Sequence, residues 1–477
     1  MSNPGQPHVA VIGGGIAGLA AAFFLREVPC QVTVLEGSPR LGGKLSVSEI
    51  AGIMIDEGAE ALLARRPEGT GLVAAAGLEG QLTWPGTTAA RIWSRGRMCP
   101  LPRRQVLGVP ADLAELAGTG LLSSDGMARA RQDLGLPATA RDGDVPVAAF
   151  VAARFGHEVV DRLVDPLLAG VYAGRSEQLS FEATLPAVAA ESRKHASLAE
   201  AAGVLLDPAG PRSPDPVPVF TTLAGGLGTL PAAVAAASGA SVRTGAMVRG
   251  LDHTATGWRL TVGSRHDEEY LTADAVILAL PANPAARLLS GVPGASAAVT
   301  ALREIRYASM AIVTLAYQAA AFPGALEGSG YLVPAADGRP VKAVTFATVK
   351  WPHLRDAGDG LHIVRCSLGR IGEESLLQSG DAELARLAAG DLAAATGAQQ
   401  APVATRVTRW GGGLPQYTVG HLDRVARIRS AVAGQPGLAV CGAAYDGIGI
   451  PACVATAQAA AAQIAAYLRD DRQWERG

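Results

Sequence analysis

The chain is poor in the residues from which several kinds of active site are built. Aromatic side chains make up only 5% of its 477 residues, and there are five cysteines (Cys30, Cys99, Cys366, Cys441 and Cys453) with no C-x-x-C among them. An odd, scattered set of thiols offers no disulfide framework and reads as reduced cysteine in a cytoplasmic protein. Neither H-E-x-x-H nor G-x-S-x-G occurs, so metalloprotease and nucleophile-elbow hydrolase chemistry lack their residues. No metal site is expected. Neither sign of charge dominates, with 41 Lys+Arg against 43 Asp+Glu, which points away from nucleic acid and from an anionic membrane. The most apolar helix-like run, Ala452 to Leu468, is interrupted by Gln458 and Gln463 and falls short of the roughly 20 apolar residues of a bilayer span. The opening MSNPGQP lacks the charged and apolar regions of a signal peptide. The expectation is a cytoplasmic protein with no transmembrane segment and at most peripheral membrane contact.

Glycine, by contrast, is plentiful, with 58 residues alongside 30 prolines and 49% hydrophobic residues. That composition suits a large packed enzyme, and the length predicts two or three domains. The organising stretch runs from His8 to Glu36. A β-branched run, Val9 to Ile12, predicts a buried strand, and Gly13, Gly15 and Gly18 follow as G-x-G-x-x-G, with Gly14, Ile16 and Ala17 between them. An Ala/Leu-rich helix leads to a second strand, Gln31 to Leu35, which ends on Glu36, eighteen residues after Gly18. Gly13 permits the tight turn, Gly15 lets backbone N–H groups approach a pyrophosphate, and Gly18 lets the helix lie close on the sheet. The helix N-terminus adds partial positive charge, and Glu36 can accept hydrogen bonds from ribose hydroxyls. This stretch predicts dinucleotide binding.

A second glycine cluster, SPRLGGKLS, spans Ser38 to Ser46, and IMIDEGAE (Ile53 to Glu60) reads as a strand running into a glycine turn. Residues Arg91 to Arg104 hold five arginines and no acid; a solvated loop and a basic rim for a polyanion are both open. From Pro110 to about Ala202 the pattern is helical, with Val147, Phe150, Val151, Phe155, Val159, Leu163 and Leu167 at three- and four-residue spacing. Leu206 to Pro218 reads as a Pro-rich linker. Strands are expected over Ser241 to Leu251, Trp258 to Val262 and Asp274 to Ala282. After Ala301 the strands turn amphipathic, in YASMAIVTLAY, GYLVP, KAVTFATV and LHIVRCSLGR. They predict an antiparallel sheet with one face toward a ligand. Arg365 and Ser367 share a strand face, and an arginine there needs a carboxylate, either the protein's or a substrate's. Finally a strand leads into Gly442, and Ile450-Pro451 begins a long helix.

GGGIAGLAAAFFL, RLGGK, PLLAGVYAG, FTTLAGGLGTLP, DAVILALPA, LPQYTVGH and CGAAYDGIGIPAC span nearly the whole chain. Together they resemble the oxygen-dependent porphyrinogen oxidases of the flavin amine oxidase superfamily. The R-x-G-G-K after the ribose acid is the feature that favours FAD over NAD. The resemblance implies an α/β fold with a Rossmann-type FAD-binding domain of p-hydroxybenzoate hydroxylase-like topology. That domain would comprise 7–85, 217–295 and 406–470, with an α+β substrate domain in 86–110 and 296–405 and a helical insertion in 111–205. FAD would be held by Gly13 to Gly18, Glu36, Gly37, Gly43, Lys44 and the turn Gly58, Ala59, Glu60, Ala61. Val248 would meet the adenine through its backbone, and Trp410 with Ile448, Gly449 and Ile450 would border the flavin. The substrate slot would lie between Gly170, Val171, Tyr172 and Gly330, Tyr331, Leu332, with Arg365 and Ser367 on its wall; for both tyrosines, plain packing is equally open. The chain departs from the family at Ala452, at Ala457 and around Glu60, where Asp, Gly and a GPDSF-like segment are usual.

The resemblance implies six-electron oxidation of coproporphyrinogen III to coproporphyrin III in haem biosynthesis, with dioxygen as acceptor and hydrogen peroxide released. A methylene bridge would lose hydride to the flavin and ring N–H protons would pass to solvent or a neighbouring pyrrole, so no protein base is named. Protoporphyrinogen IX, with two propionates rather than four, is the alternative substrate. The Arg91 run and Arg365 favour the tetra-anion, as does the helical insertion, where thirteen acids against eight Lys+Arg between Ala111 and Glu200 argue against a membrane-bound enzyme. A flavin amine oxidase or carotenoid desaturase, or a non-catalytic porphyrin carrier retaining FAD, are more distant readings. The paucity of aromatics disfavours an amine oxidase's aromatic cage. The resemblance also implies a ferrochelatase as partner for product hand-off.

Overall fold

The computed structural model describes residues 6–139, 143–207, 218–358 and 360–474. Most of the expected Pro-rich linker, and the first five residues of the chain, lie outside the described residues. The chain starts as its periodicity dictates, with the strand His8–Ile12, the helix Ile16–Leu25 and the strand Gln31–Leu35. These join a five-stranded parallel sheet in the order Ser241–Arg243, Gln31–Leu35, His8–Ile12, Ala275–Leu278, Leu438–Val440. Alternation sorts the first strand's side chains. Val9 and Val11 face Ile16–Leu25 and the long helix Ile450–Trp474, while Ala10 and Ile12 face a layer containing Trp258, Leu289 and Ile428. A strand buried on both faces has no polar side to show, which explains its unbroken apolar run.

The expected strand Ser241 to Leu251 is two strands, Ser241–Arg243 and Val248–Thr254, in different sheets. Gly245, at φ +66°, turns the chain between them. The first extends the parallel sheet and the second joins an antiparallel one with Gly257–Ser264 and Asp267–Ala273.

A seven-stranded mixed sheet forms the other half of the molecule. Its order is Ala404–Pro415, Tyr307–Gln318, Leu361–Leu368, Val341–Phe346, Gly330–Leu332, Arg91–Ser94, Arg97–Pro100. One face is sealed by the helix Asp381–Thr396 through Leu384, Ala388 and Leu392, packed over Val313, Val344 and Cys366. The boundary expected at 405/406 therefore falls inside a strand of this sheet.

Arg91 to Arg104 is mainly a hairpin rather than a solvated loop, because Ile92 and Cys99 supply an apolar face and Arg95-Gly96 turns the chain with φ of 53° and 72°. Its arginines are also engaged: Arg91 pairs with Glu327, Arg95 with Glu158 and Arg104 with Asp207, and Arg97 donates to the Gly120 carbonyl.

Short helices fill residues 113–134 and 147–206 around a common core. Val147 to Phe155 is one helix, and Gly156, at φ +89°, breaks it. The chain then coils through a π-helical turn, Val160–Val164, into the helix Asp165–Tyr172. Pro166 has no N–H to continue a regular ladder across that junction. The latter helix packs over the strands Gly330–Leu332 and Val341–Phe346.

Candidate active site

The glycine turn is shaped for a bound anion. Gly13 has φ +112°, open to glycine, and a Cβ on Gly18 would intrude on the Gly13 carbonyl oxygen. Gly15 opens the helix Ile16–Leu25 without a side-chain cap and no acid lies in the first turn, so the first N–H groups are left for a ligand. Nothing lies within 4 Å of where a Gly15 Cβ would be, which leaves a cradle that a side chain would fill. Gly42, in the second cluster, bridges to Gly15, and exposed Gly43 stands beside it. Lys44 adds an ammonium whose pKa is lowered by burial. Among the described residues it has no hydrogen-bond or ion-pair partner, as suits a cation awaiting an anion.

At the end of the second strand, the Glu36 carboxylate accepts from Gly14 N–H and Ser38 N–H, each at 2.7 Å. That leaves lone pairs for hydroxyl donors. Gly37 abuts Met247, next to Val248, because the chain returns there with Ala246 N–H bonded to the Glu36 carbonyl at 2.8 Å. The structure thus brings the expected residues Gly13 to Gly18, Glu36, Gly37, Gly43, Lys44 and Val248 together around the ends of the first two strands.

The turn Gly58 to Ala61 packs against the second glycine cluster, with Ala59 N–H facing the Lys44 carbonyl. A Cβ on Gly58 would meet the Lys44 carbonyl on one side and the Trp410 ring at 3.1 Å on the other. Trp410 is held there by its indole N–H, which donates to the Glu57 carbonyl at 3.1 Å. At the start of the helix Ile450–Trp474, Gly449 is exposed and Ile448 half-buried, while Ile450 is buried in the core of the nucleotide half.

PQYTVGH ties that helix start to the rest. Gln416 donates to the Tyr172 carbonyl at 2.8 Å, and the Tyr417 hydroxyl donates to Ala443 O at 2.7 Å while accepting from Gly447 N–H at 2.8 Å. The His421 ring stacks on Tyr417 at 3.8 Å and its Nε2 lies 2.9 Å from the Tyr445 carbonyl. Burial pushes His421 down to about 4, so it is a neutral spacer near pH 7.

Beyond Trp410 lies the open face of the seven-stranded sheet. Leu332 pairs with Ala343 and Ala343 with Ser367, so the three share one face, and all are half-buried. Gly170 overlies them, a Cβ there coming within 3.4 Å of Leu332. Val171 is exposed, and Gly330, at φ +136°, allows the neighbouring strand to approach. Here the helix Asp165–Tyr172 lies directly on the sheet, and the residues that meet are small or aliphatic.

Three expected slot residues sit differently. Tyr331 points to the sealed face, packed edge-on to Trp93 and Phe346, because adjacent strand residues alternate. Tyr172 is buried against Tyr417 with ring centroids 5.7 Å apart. Arg365 finds its carboxylate within the protein: it pairs with Glu60 and donates to the Gly58 carbonyl at 2.7 Å. Lys350 also binds Glu60, at 2.6 Å. Burial opposes ionisation of Glu60, but the two cations outweigh it and hold the carboxyl down at about 2. Arg365 therefore braces the Gly58 turn from behind and is not available to a ligand.

The sequence reading missed Lys350 and Lys342. Lys342 is buried and reaches Ser367 Oγ at 2.6 Å. Its signal was a charge inside the apolar strand KAVTFATV, the argument that singled out Arg365. No group of side chains among the described residues has the composition of a metal site, and no helix among them is long and apolar enough to cross a membrane.

Comparison with known proteins shows the family. The model for flavin containing amine oxidoreductases matches residues 16–465. The coproporphyrinogen III oxidase of Bacillus subtilis (strain 168) is 32% identical over 98% of this chain and 99% of its own length. That of Mycobacterium tuberculosis (strain H37Rv) is 38% identical over 94% and 95%. A solved structure from Exiguobacterium sp. 255-15, provisionally named a protoporphyrinogen oxidase, superposes with a TM-score of 0.84 at 30% identity, covering 98% of this chain and all of that one. The chain belongs to the flavin containing amine oxidoreductase family, and as an FAD-dependent oxidoreductase it is related to the coproporphyrinogen III oxidases.

Proposed function

We propose that this chain oxidises coproporphyrinogen III to coproporphyrin III by six electrons, with dioxygen as terminal acceptor and hydrogen peroxide as the second product. The observation that carries the reading is the full-length relatedness to two coproporphyrinogen III oxidases. The small and aliphatic residues Gly170, Leu332 and Ala343, where the helix Asp165–Tyr172 meets the sheet, would wall a slot suited to a flat macrocycle.

When bound, FAD supplies the hydride acceptor. The protein's own residues supply position and field. The Gly13 to Gly18 turn with Lys44 would hold the diphosphate, Glu36 the ribose, and the Gly58 turn, Trp410 and the Ile448 to Ile450 helix start the ring. The Glu60, Arg365 and Lys350 cluster fixes the Gly58 turn from behind. Gly170 and Val171 close the slot over the macrocycle and limit water beside the reacting carbon.

Charge matching by the Arg91 run and Arg365 no longer supports the tetra-anion, since four of those six arginines are paired with the protein's own carboxylates. Protoporphyrinogen IX remains a second reading, favoured by the provisional name of the Exiguobacterium structure. Anaerobic mixing of the FAD-loaded protein with each porphyrinogen tests both readings. Flavin bleaching and porphyrin fluorescence should appear with coproporphyrinogen III at higher kcat/KM, and a preference for the two-propionate substrate reverses the assignment. The reading also places the protein in the cytoplasm, with a ferrochelatase as the kind of enzyme that would accept its product.

A further inference from the structure

The slot wall contains a cation without an anion. Lys342 sits where the strand Val341–Phe346 slips one residue in register, Val341 facing Leu368 and Ala343 facing Ser367. A bulge of this kind takes a residue out of the ladder and re-aims its side chain. The Lys342 side chain turns inward, 1% exposed, with Nζ 2.6 Å from Ser367 Oγ and 3.4 Å from the Leu368 carbonyl. No carboxylate among the described residues forms an ion pair with it.

The charged groups around it do not supply one. Arg370, after the strand Leu361–Leu368, is buried, donates to the Val333 carbonyl at 3.0 Å and leans on Glu373 at 3.5 Å. Glu373 is part-exposed and shared with Arg175, which follows the slot helix. Arg339, before the lysine strand, is matched by Asp391 of the helix Asp381–Thr396. Cations thus outnumber carboxylates, and burial together with Arg370 brings Lys342 down to about 7 against the pull of Glu373. An unpaired buried ammonium is costly, and losing the proton is the simplest relief.

The choice of lysine is itself informative. Only four of the chain's 41 Lys+Arg residues are lysines: Lys44, Lys194, Lys342 and Lys350. Buried positions that need a permanent charge, such as Arg154, Arg365 and Arg370, carry arginine. Lysine is the one of the two that can become neutral. Ser367, half-buried, connects it to the slot: its hydroxyl touches Lys342 within the wall and stands on the same sheet face as Leu332, which Gly170 overlies.

We propose that Ser367 and Lys342 form the proton exit of the slot, Ser367 taking the proton of a ring N–H while its own hydroxyl proton passes to the neutral Lys342 amine. This rests on the porphyrinogen reading above. In each two-electron step the ring N–H bond breaks and its electron pair forms a C=N bond within the pyrrole ring. The ring's double bonds shift so that the adjacent pyrrole carbon gains a C=C bond to the methylene carbon, which has lost hydride. The hydride from that carbon is the one the proposed reaction already assigns to the cofactor. The Lys342 ammonium then releases its proton toward solvent on the part-exposed Glu373 side before the next step. Ser367 is the group that touches substrate, and Lys342 acts through it.

The test uses the FAD-loaded protein with coproporphyrinogen III and the variants Lys342→Met, Lys342→Arg and Ser367→Ala. For the wild type, kcat/KM should fall about tenfold per pH unit below a pKa near 7. Lys342→Met should lose that limb and about 10²-fold in rate at pH 8, the usual reach of one proton-transfer group. Lys342→Arg, which keeps the cation but cannot release a proton, should be as slow as Lys342→Met. Ser367→Ala should be slow while the lysine still titrates. An activity-free readout is NMR of the four lysines labelled at Cε: one resonance should titrate near pH 7 and vanish in Lys342→Met. A Lys342→Arg enzyme with wild-type rate and pH profile, or a Lys342 resonance that stays charged to pH 9, overturns the proton exit alone. A wild-type protein whose flavin is bleached by neither porphyrinogen overturns the substrate reading, and the exit with it.

Discussion

In the nucleotide cradle, the contacting groups come from one short passage of chain. Strand, glycine turn, helix and second strand follow one another from His8 to Leu35, and Glu36 reaches back over 22 residues to the N–H of Gly14. In the slot wall and the brace behind it, contacts join distant segments. Glu60 meets Lys350 across 290 residues and Arg365 across 305, and Gln416 meets Tyr172 across 244. The cradle presents backbone N–H groups, which any sequence with the right glycines can offer. The brace buries ionised side chains, which are tolerable only if each partner arrives in place. The first therefore fails by steric intrusion and the second by stranded charge.

The largest expected effect breaks the cradle. Gly18→Val puts side-chain atoms into the Gly13 carbonyl, and we expect purified protein without FAD, read from the absence of the flavin band near 450 nm. Next comes the brace. Glu60→Leu strands the buried Arg365 and should cost about 3–5 kcal/mol, measured as the shift of the denaturation midpoint. Acid titration sharpens this. The folded-state pKa of Glu60, about 2, lies below the ordinary 4.5, so its contribution is fully present above pH 4.5 and is lost as pH falls toward 2. Asp56 should behave oppositely. Burial raises it to about 6 from 3.8 despite two backbone donors, so the folded state holds its proton longer and stability should decline as pH rises from about 4 to 6. Asp56→Asn should flatten that decline in a pH series of thermal melts.

Smaller still is Tyr417→Phe, which removes the hydroxyl shared by Ala443 O and Gly447 N–H and should cost about 1–2 kcal/mol. Because that hydroxyl ties the helix Ile450–Trp474 to the slot side, weaker FAD retention should accompany the loss, measured by flavin release on dilution. The smallest effect is expected from Arg91→Ala. Its pair with Glu327 is exposed, so stability should change by under about 1 kcal/mol and KM for coproporphyrinogen III should stay put. A tenfold rise in KM would return the arginine run to the substrate's mouth.

The same contrast explains what could be read beforehand. The strands and helix of the cradle were legible because their residues satisfy each other locally: β-branched runs, a glycine turn, an uncapped helix. Ser241 to Leu251 was misread as one strand because a single glycine, Gly245, redirects the chain without altering the apolar pattern. The resemblance put Tyr331 and Leu332 together on the slot, with plain packing equally open for Tyr331; a strand sends adjacent side chains to opposite faces, and only the packing of Asp381–Thr396 decides which face is sealed. Arg365 was recognised as needing a carboxylate, but nothing in LHIVRCSLGR names Glu60.

By itself, the sequence determined the strand, glycine turn, helix and second strand that end on Glu36, since the glycine spacing imposes that geometry through backbone sterics alone. Only the tertiary structure decided which charges are spent on one another and which are left over. Opposite charges find each other by proximity in the folded chain, so Arg91, Arg95, Arg104 and Arg365 proved occupied, while Lys342, in an apolar strand, was left with a hydroxyl and a carbonyl but no carboxylate among the described residues.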